Sequence, residues 1–202
     1  MTKKTSRRDQ ILQALARELE LHPGERITTA ALAKSVGVSE AALYRHFPSK
    51  AKMFEGLIEF IEESIFGLIN KIMQDEAHSV KRCEKILILI LGFAERNPGI
   101  TRILVGDALI GENERLRGRL GQFYDRIETQ LRQILREGEM KQQLSPTAPI
   151  SSIANMLLAV VEGRMNQFVR STFERKPLLM WEDQWGLLQE NLNSQINIGV
   201  EV

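Results

Sequence analysis

The stretch that most constrains this chain is residues 27–50, which has the pattern of two short helices joined by a tight turn. Thr28 or Thr29 can cap the first helix, because a threonine hydroxyl accepts a hydrogen bond from a free backbone N–H group at a helix start. Gly37 can end that helix in a left-handed conformation that a side chain would strain. Ser39 can then cap a second helix. The pattern predicts a helix-turn-helix.

The second helix of such a pair can enter the major groove of DNA with its first turn toward the base edges. Small side chains there allow a close approach, and an alanine methyl can contact a thymine methyl. Hydrogen-bond donors after that turn suit backbone phosphates, which fix the register. The predicted DNA-contacting residues are Thr28, Thr29, Ser39, Ala41, Ala42, Tyr44, Arg45, His46 and Lys50. A plain helical hairpin is the other interpretation of this pattern.

Positive charge is concentrated in the N-terminal quarter of the chain. Residues 1–54 contain ten Lys or Arg and five Asp or Glu, a balance of +5, whereas the whole chain carries +1. A cationic module on a mildly acidic body is typical of a small DNA-binding domain. The basic residues at positions 3–8 could form an arm along the minor groove, or they could be a solvated tail.

Composition argues against several other kinds of site. Cys83 is the only cysteine, which excludes an intramolecular disulfide and a cysteine-based zinc site and suggests the reducing cytoplasm. No signal peptide is recognised, and the longest apolar run, residues 86–94, is about half of what a membrane span needs. His22, His46 and His78 are far apart, and no nucleophile–base pair or phosphate loop is present. We therefore expect no catalytic residue, metal, cofactor or membrane partner.

Apolar periodicity predicts an all-α chain, with a three-helix head followed by about six further helices. A first helix over residues 6–21 completes the head, and Pro48 ends the helix-turn-helix. The further helices are predicted over residues 50–74, 80–96, 100–110, 113–137, 151–173 and 180–196, with a loop at 141–149. Residues 86–91 are apolar all round, so we expect them to lie centrally in the body.

Two helix faces of the body admit more than one interpretation. The helix at 113–137 has a basic face that could contact nucleic acid, but interleaved glutamates favour a solvated ion-pair face (Arg115, Arg117, Arg119, Arg126, Arg132 and Arg136 beside Glu114, Glu128 and Glu137). The helix at 151–173 carries Ala154, Ala159 and Gly163, which allow close helix approach. A four-helix homodimer interface with the last helix is the natural use, and an internal hairpin is the alternative.

Residues 32–50, LAKSVGVSEAALYRHFPSK, resemble the signature of the TetR family of transcription factors. Segments IEFIE at 58–62, LGFAERNPG at 91–99, TRIL at 101–104 and FVRS at 168–171 are similar to the branch of that family that acts in nucleoid occlusion. The resemblance implies a helix-turn-helix DNA-binding domain over residues 1–54 and a helical dimerisation and partner-binding domain over residues 55–202. Homodimers, singly or in pairs, are then expected on a palindromic site in double-stranded DNA.

In that branch, dimers bound to the nucleoid bind the tubulin-like division protein FtsZ through its C-terminal tail and disrupt its polymers, so that no septum forms there. The matching residues, in a groove between the connecting helix and the next helix, are Phe60, Leu89, Gly92, Arg96 and Asn97. Leu68 replaces a basic residue of the pattern, which would make the groove more apolar. Phe60 and Leu89 could instead be core residues. A ligand-responsive repressor, whose heads spread when a ligand binds the body, is the alternative function.

Overall fold

The structure is a computed structural model that describes residues 6–190 and residue 192. This part of the chain contains nine α-helices and a short 3-10 helix, without strands, which confirms the all-α prediction. The helices are α1 (Arg7–Leu21), α2 (Thr29–Val36), α3 (Glu40–His46), α4 (Lys50–Asp75), α5 (Ser79–Arg96), α6 (Pro98–Leu104), α7 (Glu114–Met140), α8 (Ile150–Arg170) and α9 (Trp181–Glu190). Of the basic residues predicted as an arm, Lys3 and Lys4 lie outside the described residues, whereas Arg7 and Arg8 lie in the first turn of α1.

The head consists of α1, α2 and α3, and each helix begins at the residue type that the sequence predicts. Ser6 and Asp9 form a reciprocal capping box at the start of α1. The hydroxyls of Thr28 and Ser39 cap α2 and α3, and Gly37 ends α2 with a φ of 72°. The buried side chains of the head include Ile11, Leu15, Leu19, Leu32 and Leu43 of the three helices and Phe47 directly after α3.

α4 connects the head to the body. It has 26 residues, so it is about 39 Å long at 1.5 Å per residue. Met53 and Phe54 are buried near the head, whereas Ile61, Ile65 and Ile69 are buried farther along. A tilt of this helix would therefore move the head relative to the rest of the chain.

α5 lies against α4, α7 and α8, but it is not buried on every side. Ile86, Leu87 and Ile90 are buried, whereas Ile88 is 37% exposed and Leu89 is half-buried. The prediction that residues 86–91 are surrounded by protein is wrong at these two positions. One stripe of α5 is not covered by its neighbouring helices and provides apolar surface.

The region predicted as one helix over residues 100–110 has a different structure. α6 begins earlier, because Pro98 occupies the first turn, where its missing N–H has no helical partner to lose. It ends earlier because Gly106 adopts a left-handed conformation with a φ of 79°. A 3-10 helix over Asp107–Leu109 then leads into α7.

The last helices follow the prediction with changed ends. α8 ends at Arg170 rather than at residue 173, because the chain turns with positive φ at Thr172 and Phe173. α9 begins at Trp181, after Met180 with a φ of 62°. Its predicted continuation to residue 196 lies outside the described residues, apart from residue 192. Residues 141–149 form the predicted loop.

The basic face of α7 interacts with other side chains of the protein. Arg119 Nη2 lies 2.6 Å from Glu62 Oε2 of α4, and Arg126 stacks on the ring of Phe66 at 3.7 Å. An ion-pair face was predicted, and the structure shows that part of it joins α7 to α4.

Candidate DNA interface and partner groove

The exposed side of α3 carries most of the residues predicted to contact DNA. Leu43 and Phe47 bury the opposite side of this helix in the head. Ala42 is half-buried, and the exposed members of the set are Thr28, Ser39, Ala41, Tyr44, Arg45 and His46. Small residues at the start of α3 and longer donors after them match the order in which a recognition helix meets bases and phosphates.

The hydroxyl groups at the helix starts have defined hydrogen bonds. Ser39 Oγ accepts from the backbone N–H of Ala42, which leaves its own O–H able to donate to a phosphate or a base. Thr29 Oγ1 donates to Glu40 Oε2 over 2.8 Å and so ties the start of α2 to the start of α3. Thr29 is half-buried, and its hydrogen bond connects the two helices of the motif.

Lys50 is paired within the protein. Its Nζ lies 2.5 Å from Glu112 Oε1, in the segment between α6 and α7, and 5.6 Å from the ring centroid of Phe54. Only 25% of the Lys50 side chain is exposed. The Glu112 carboxylate thus competes with a phosphate for the charge of Lys50, although the ammonium has further N–H donors. The sequence does not reveal this pair, because its members are 62 positions apart.

If Lys50 contacts a phosphate, Lys50→Ala should weaken binding to all DNA sequences and flatten the salt dependence by about one counterion per head. Glu112→Gln should tighten binding, because it removes the competing carboxylate while it keeps the side-chain shape. Fluorescence anisotropy of labelled DNA at several salt concentrations measures both effects. If the salt dependence of DNA binding is unchanged in Lys50→Ala, then Lys50 does not contact a phosphate and only joins the head to the body through Glu112.

Arg102 of α6 holds the end of α1. It is 2% exposed, and its Nη1 donates to the carbonyl oxygens of Leu19 and His22 over 2.8 Å each, while Nε donates to Asp107 over 2.5 Å. A cation at this position satisfies carbonyls that have no helical partner and opposes the negative end of the helix dipole. We could not identify Arg102 from the sequence, where it looks like any surface arginine.

A groove of about 960 Å³ lies between α1, α4 and the junction of α5 with α6, and we call it the α1–α4–α5 groove. Its floor is apolar and includes Leu12, Ala16, Leu57 and Ile100. Phe60 lines the groove and is 47% exposed, so it is not a core residue. Arg96 and Asn97 line the same groove, and Asn97 Nδ2 donates to the carbonyl oxygen of Phe93 over 2.7 Å.

The structure brings together three of the five residues predicted to bind a partner. Leu89 and Gly92 are not among the lining residues, and Leu89 packs against the core. A Cβ atom at Gly92 would lie 3.5 Å from Arg96 Nη1 and 3.6 Å from Leu178 Cδ1, which are ordinary contact distances. Leu68 is exposed on α4. The groove extends toward α1, a wall that was missed in the sequence because it comes from the head.

Other chemistry has little support in the described residues. No group of three or more His, Cys, Asp or Glu side chains among them could hold a metal ion, and no helix there is long and apolar enough to cross a membrane. Burial raises the pKa of the Cys83 thiol to about 12, so it is protonated at neutral pH and is a poor nucleophile.

Two family models match the chain. Residues 11–57 match the model described as bacterial regulatory proteins, tetR family. Residues 77–193 match the model described as tetracyclin repressor-like, C-terminal domain. The chain is similar to the nucleoid occlusion factor SlmA of Marinomonas sp. (strain MWYL1), with 61% identity over 94% of this chain and 96% of the relative. The protein of the same name from Alteromonas mediterranea is 60% identical over 93% and 96%.

Solved structures of TetR-type regulators share the fold. A TetR transcription regulator from Haloarcula marismortui superposes with a TM-score of 0.78 at 17% identity, over 93% of this chain and 98% of that one. The MbdR regulator from Azoarcus sp. CIB superposes with a TM-score of 0.79 at 17% identity, over 94% and 100%. Similarity at this level of identity establishes the fold alone.

Proposed function

Because the chain belongs to the TetR family and, within it, to the nucleoid occlusion factors named SlmA, we propose that it binds palindromic chromosomal sites as a homodimer and captures the C-terminal tail of FtsZ in the α1–α4–α5 groove. One observation carries this proposal: the high identity to these factors extends over head and body alike. The similarity to solved ligand-type regulators is one of fold only. Bound to the nucleoid, the protein would disrupt FtsZ polymers and prevent a septum there.

Dimerisation through α8 and α9 is supported by apolar and small residues on their outer surface. Leu187 of α9 and, just before that helix, Leu179 and Met180 are each more than half exposed, and Ala159 and Gly163 of α8 are exposed as well. Two such helix pairs can close a four-helix interface with twofold symmetry. The two heads would then contact half-sites about one helical turn apart, which is why the expected DNA site is a palindrome. Pairs of dimers on one site are part of the same proposal.

The division of labour follows the chain. Residues 1–54 would bind DNA, and residues 55–202 would dimerise and bind the partner, with α4 belonging to both. The groove suits a short peptide, because its apolar floor can take apolar side chains while Phe60 remains open to contact. Arg96 is exposed at the end of α5 and can pair with an acidic side chain.

The test is fluorescence anisotropy of a labelled FtsZ tail peptide, titrated with the full chain with and without its DNA site. We expect saturable binding that a scrambled peptide of the same composition does not show. A ligand-responsive repressor would bind neither peptide, and that outcome would favour the alternative function. Leu89 and Gly92 are tested in the same assay, because Leu89→Ala or Gly92→Ala should weaken peptide binding only if the peptide extends beyond the groove along α5.

A further inference from the structure

One wall of the α1–α4–α5 groove is formed by α1, the first helix of the head. Gln13, Arg17 and Glu20 lie at intervals of four and three residues on its groove-facing side, and all three are exposed. Leu21 lies at the end of this wall with 57% of its surface exposed. The wall therefore combines a polar rim with apolar surface, as the opposite wall does with Arg96 and Phe60.

Arg17 and Arg96 differ from most other arginines at the contacts between helices. Arg8, Arg102 and Arg119 each form a salt bridge to an acidic residue of another segment. Within residues 6–190, neither Arg17 nor Arg96 forms one, although both line the same groove.

Two acidic residues, Asp9 and Glu20, also line this wall, and neither forms a salt bridge with Arg17 within residues 6–190. Asp9 is held in the capping box at the start of α1, where the positive end of the helix dipole offsets its charge. Glu20 lies at the other end of α1, next to the close approach of Gly99 to the backbone of that helix. The groove thus has two cations on opposite walls, beside these two carboxylates and above an apolar floor.

We infer that Arg17 is a specificity-determining residue of the partner site, and that an acidic side chain of the bound peptide lies between Arg17 of α1 and Arg96 of α5. Apolar neighbours in the peptide would contact Leu12, Leu57 and Phe60. This inference rests on the proposed function and adds the first helix of the DNA-binding head to the surface that recognises the partner. The occupant is a peptide with an acidic residue flanked by apolar ones, because its carboxylate would pair with both cations and its apolar side chains would cover the floor.

The arrangement has a consequence for the head. α1 supports α2 and α3, and its end is fixed to α6 by Arg102. A peptide held between α1 and α5 would restrict the same junction from the other side. Any coupling between peptide and DNA would be reciprocal, because each ligand must change the affinity of the other by the same factor.

The experiment compares the wild-type chain with Arg17→Glu, Arg17→Lys and the control Lys81→Glu, which makes the same change of charge at the exposed start of α5. We expect Arg17→Glu to lower the affinity for the FtsZ tail peptide about tenfold or more, since it removes a charged hydrogen bond and introduces a like charge. Arg17→Lys should retain part of the affinity, because it keeps the charge but loses the planar fork. Lys81→Glu should bind as the wild type does.

A second peptide, in which each acidic residue is replaced by its amide, separates contact from structure. Arg17→Glu should bind this peptide about as tightly as the wild type does. The double-mutant cycle formed by the Arg17 substitution and the change of the peptide should therefore show a coupling free energy between Arg17 and the acidic residues. If the wild type binds the native peptide and Arg17→Glu binds it equally, the inference is wrong while the proposed function stands. If the wild type does not bind, the proposed function fails. Loss of thermal stability in Arg17→Glu would make Arg17 a structural residue and would also overturn the inference.

Discussion

Gly99→Ala is expected to lower the free energy of unfolding by about 3 kcal/mol or more, because α6 and α1 approach too closely at this point for any side chain. A Cβ atom on Gly99 would lie 1.9 Å from the carbonyl oxygen of Ala16 and 2.9 Å from the backbone nitrogen of Glu20. Both are backbone atoms, so no side-chain rotation relieves the clash. For a chain of this size the melting temperature should fall by about 6–12 °C. The measurement is thermal unfolding monitored by circular dichroism.

Gly67→Ala is the matched control. Gly67 lies within α4, and a Cβ atom there would have no atom within 4 Å. Alanine is the better helix former by about 1 kcal/mol, so this variant should be as stable as the wild type or slightly more stable. The variants must be compared at one protein concentration, because the stability of a dimer depends on it. Equal melting temperatures for Gly99→Ala and Gly67→Ala would show that the contact between α1 and α6 does not exist in solution.

Gly99→Ala should also alter DNA binding in the fraction that remains folded. The contact with α6 fixes α1, and α1 supports α3. A displaced α1 would change the distance between the two recognition helices of a dimer. Compared with the wild type, Gly99→Ala should therefore lose more affinity for a palindrome with native spacing than for one isolated half-site. Anisotropy with full-site and half-site DNA measures this ratio.

Arg96→Asp is the second variant for which we expect a large effect. It should reduce affinity for the FtsZ tail peptide about 100-fold. The substitution replaces an exposed cation of the groove by a carboxylate, which repels the acidic residues of the peptide. DNA binding should be unchanged, because Arg96 lies at the end of α5, outside the head. Peptide anisotropy and DNA anisotropy on the same preparation give both quantities.

Lys81→Asp is the control for charge, because it makes the same substitution of a cation by aspartate at the other end of α5. It should leave both affinities as in the wild type. If Arg96→Asp loses DNA binding together with peptide binding, the variant has a folding defect, and its loss of peptide binding does not support a partner contact by Arg96. If it keeps peptide binding, the groove is not the partner site, and the exposed apolar stripe of α5 near Ile88 becomes the next surface to test.

Much of the head could be predicted from residues close together in sequence. The caps at Ser6, Thr28 and Ser39 and the left-handed turn at Gly37 act within four positions along the chain, so their residue types are sufficient evidence. The same reasoning located α4 and α7, whose amphipathic periods are long. It failed at α6, because Pro98 fits either the end of one helix or the first turn of the next, and the sequence alone does not distinguish the two.

The candidate groove was predicted only in part. Phe60, Arg96 and Asn97 meet as the family resemblance implies, but the α1 wall with Arg17 was missed. Arg17 and Phe60 are 43 positions apart, and no periodicity connects a head helix with the α5–α6 junction. Lys50 shows the same limit, because its predicted phosphate contact depends on Glu112, which only the fold brings within hydrogen-bonding distance.

The sequence by itself determined that this chain is all-helical, that it carries a helix-turn-helix on a cationic head, and which family it belongs to. The first two properties depend on local capping, periodicity and charge, which neighbouring residues specify, whereas the family follows from the resemblance of whole segments. Only the tertiary structure decided how the head is held to the body, through Arg102 and Gly99, and which side chains share the groove. Those contacts join residues distant in sequence, and their geometry follows from helix packing, to which many weak interactions contribute together.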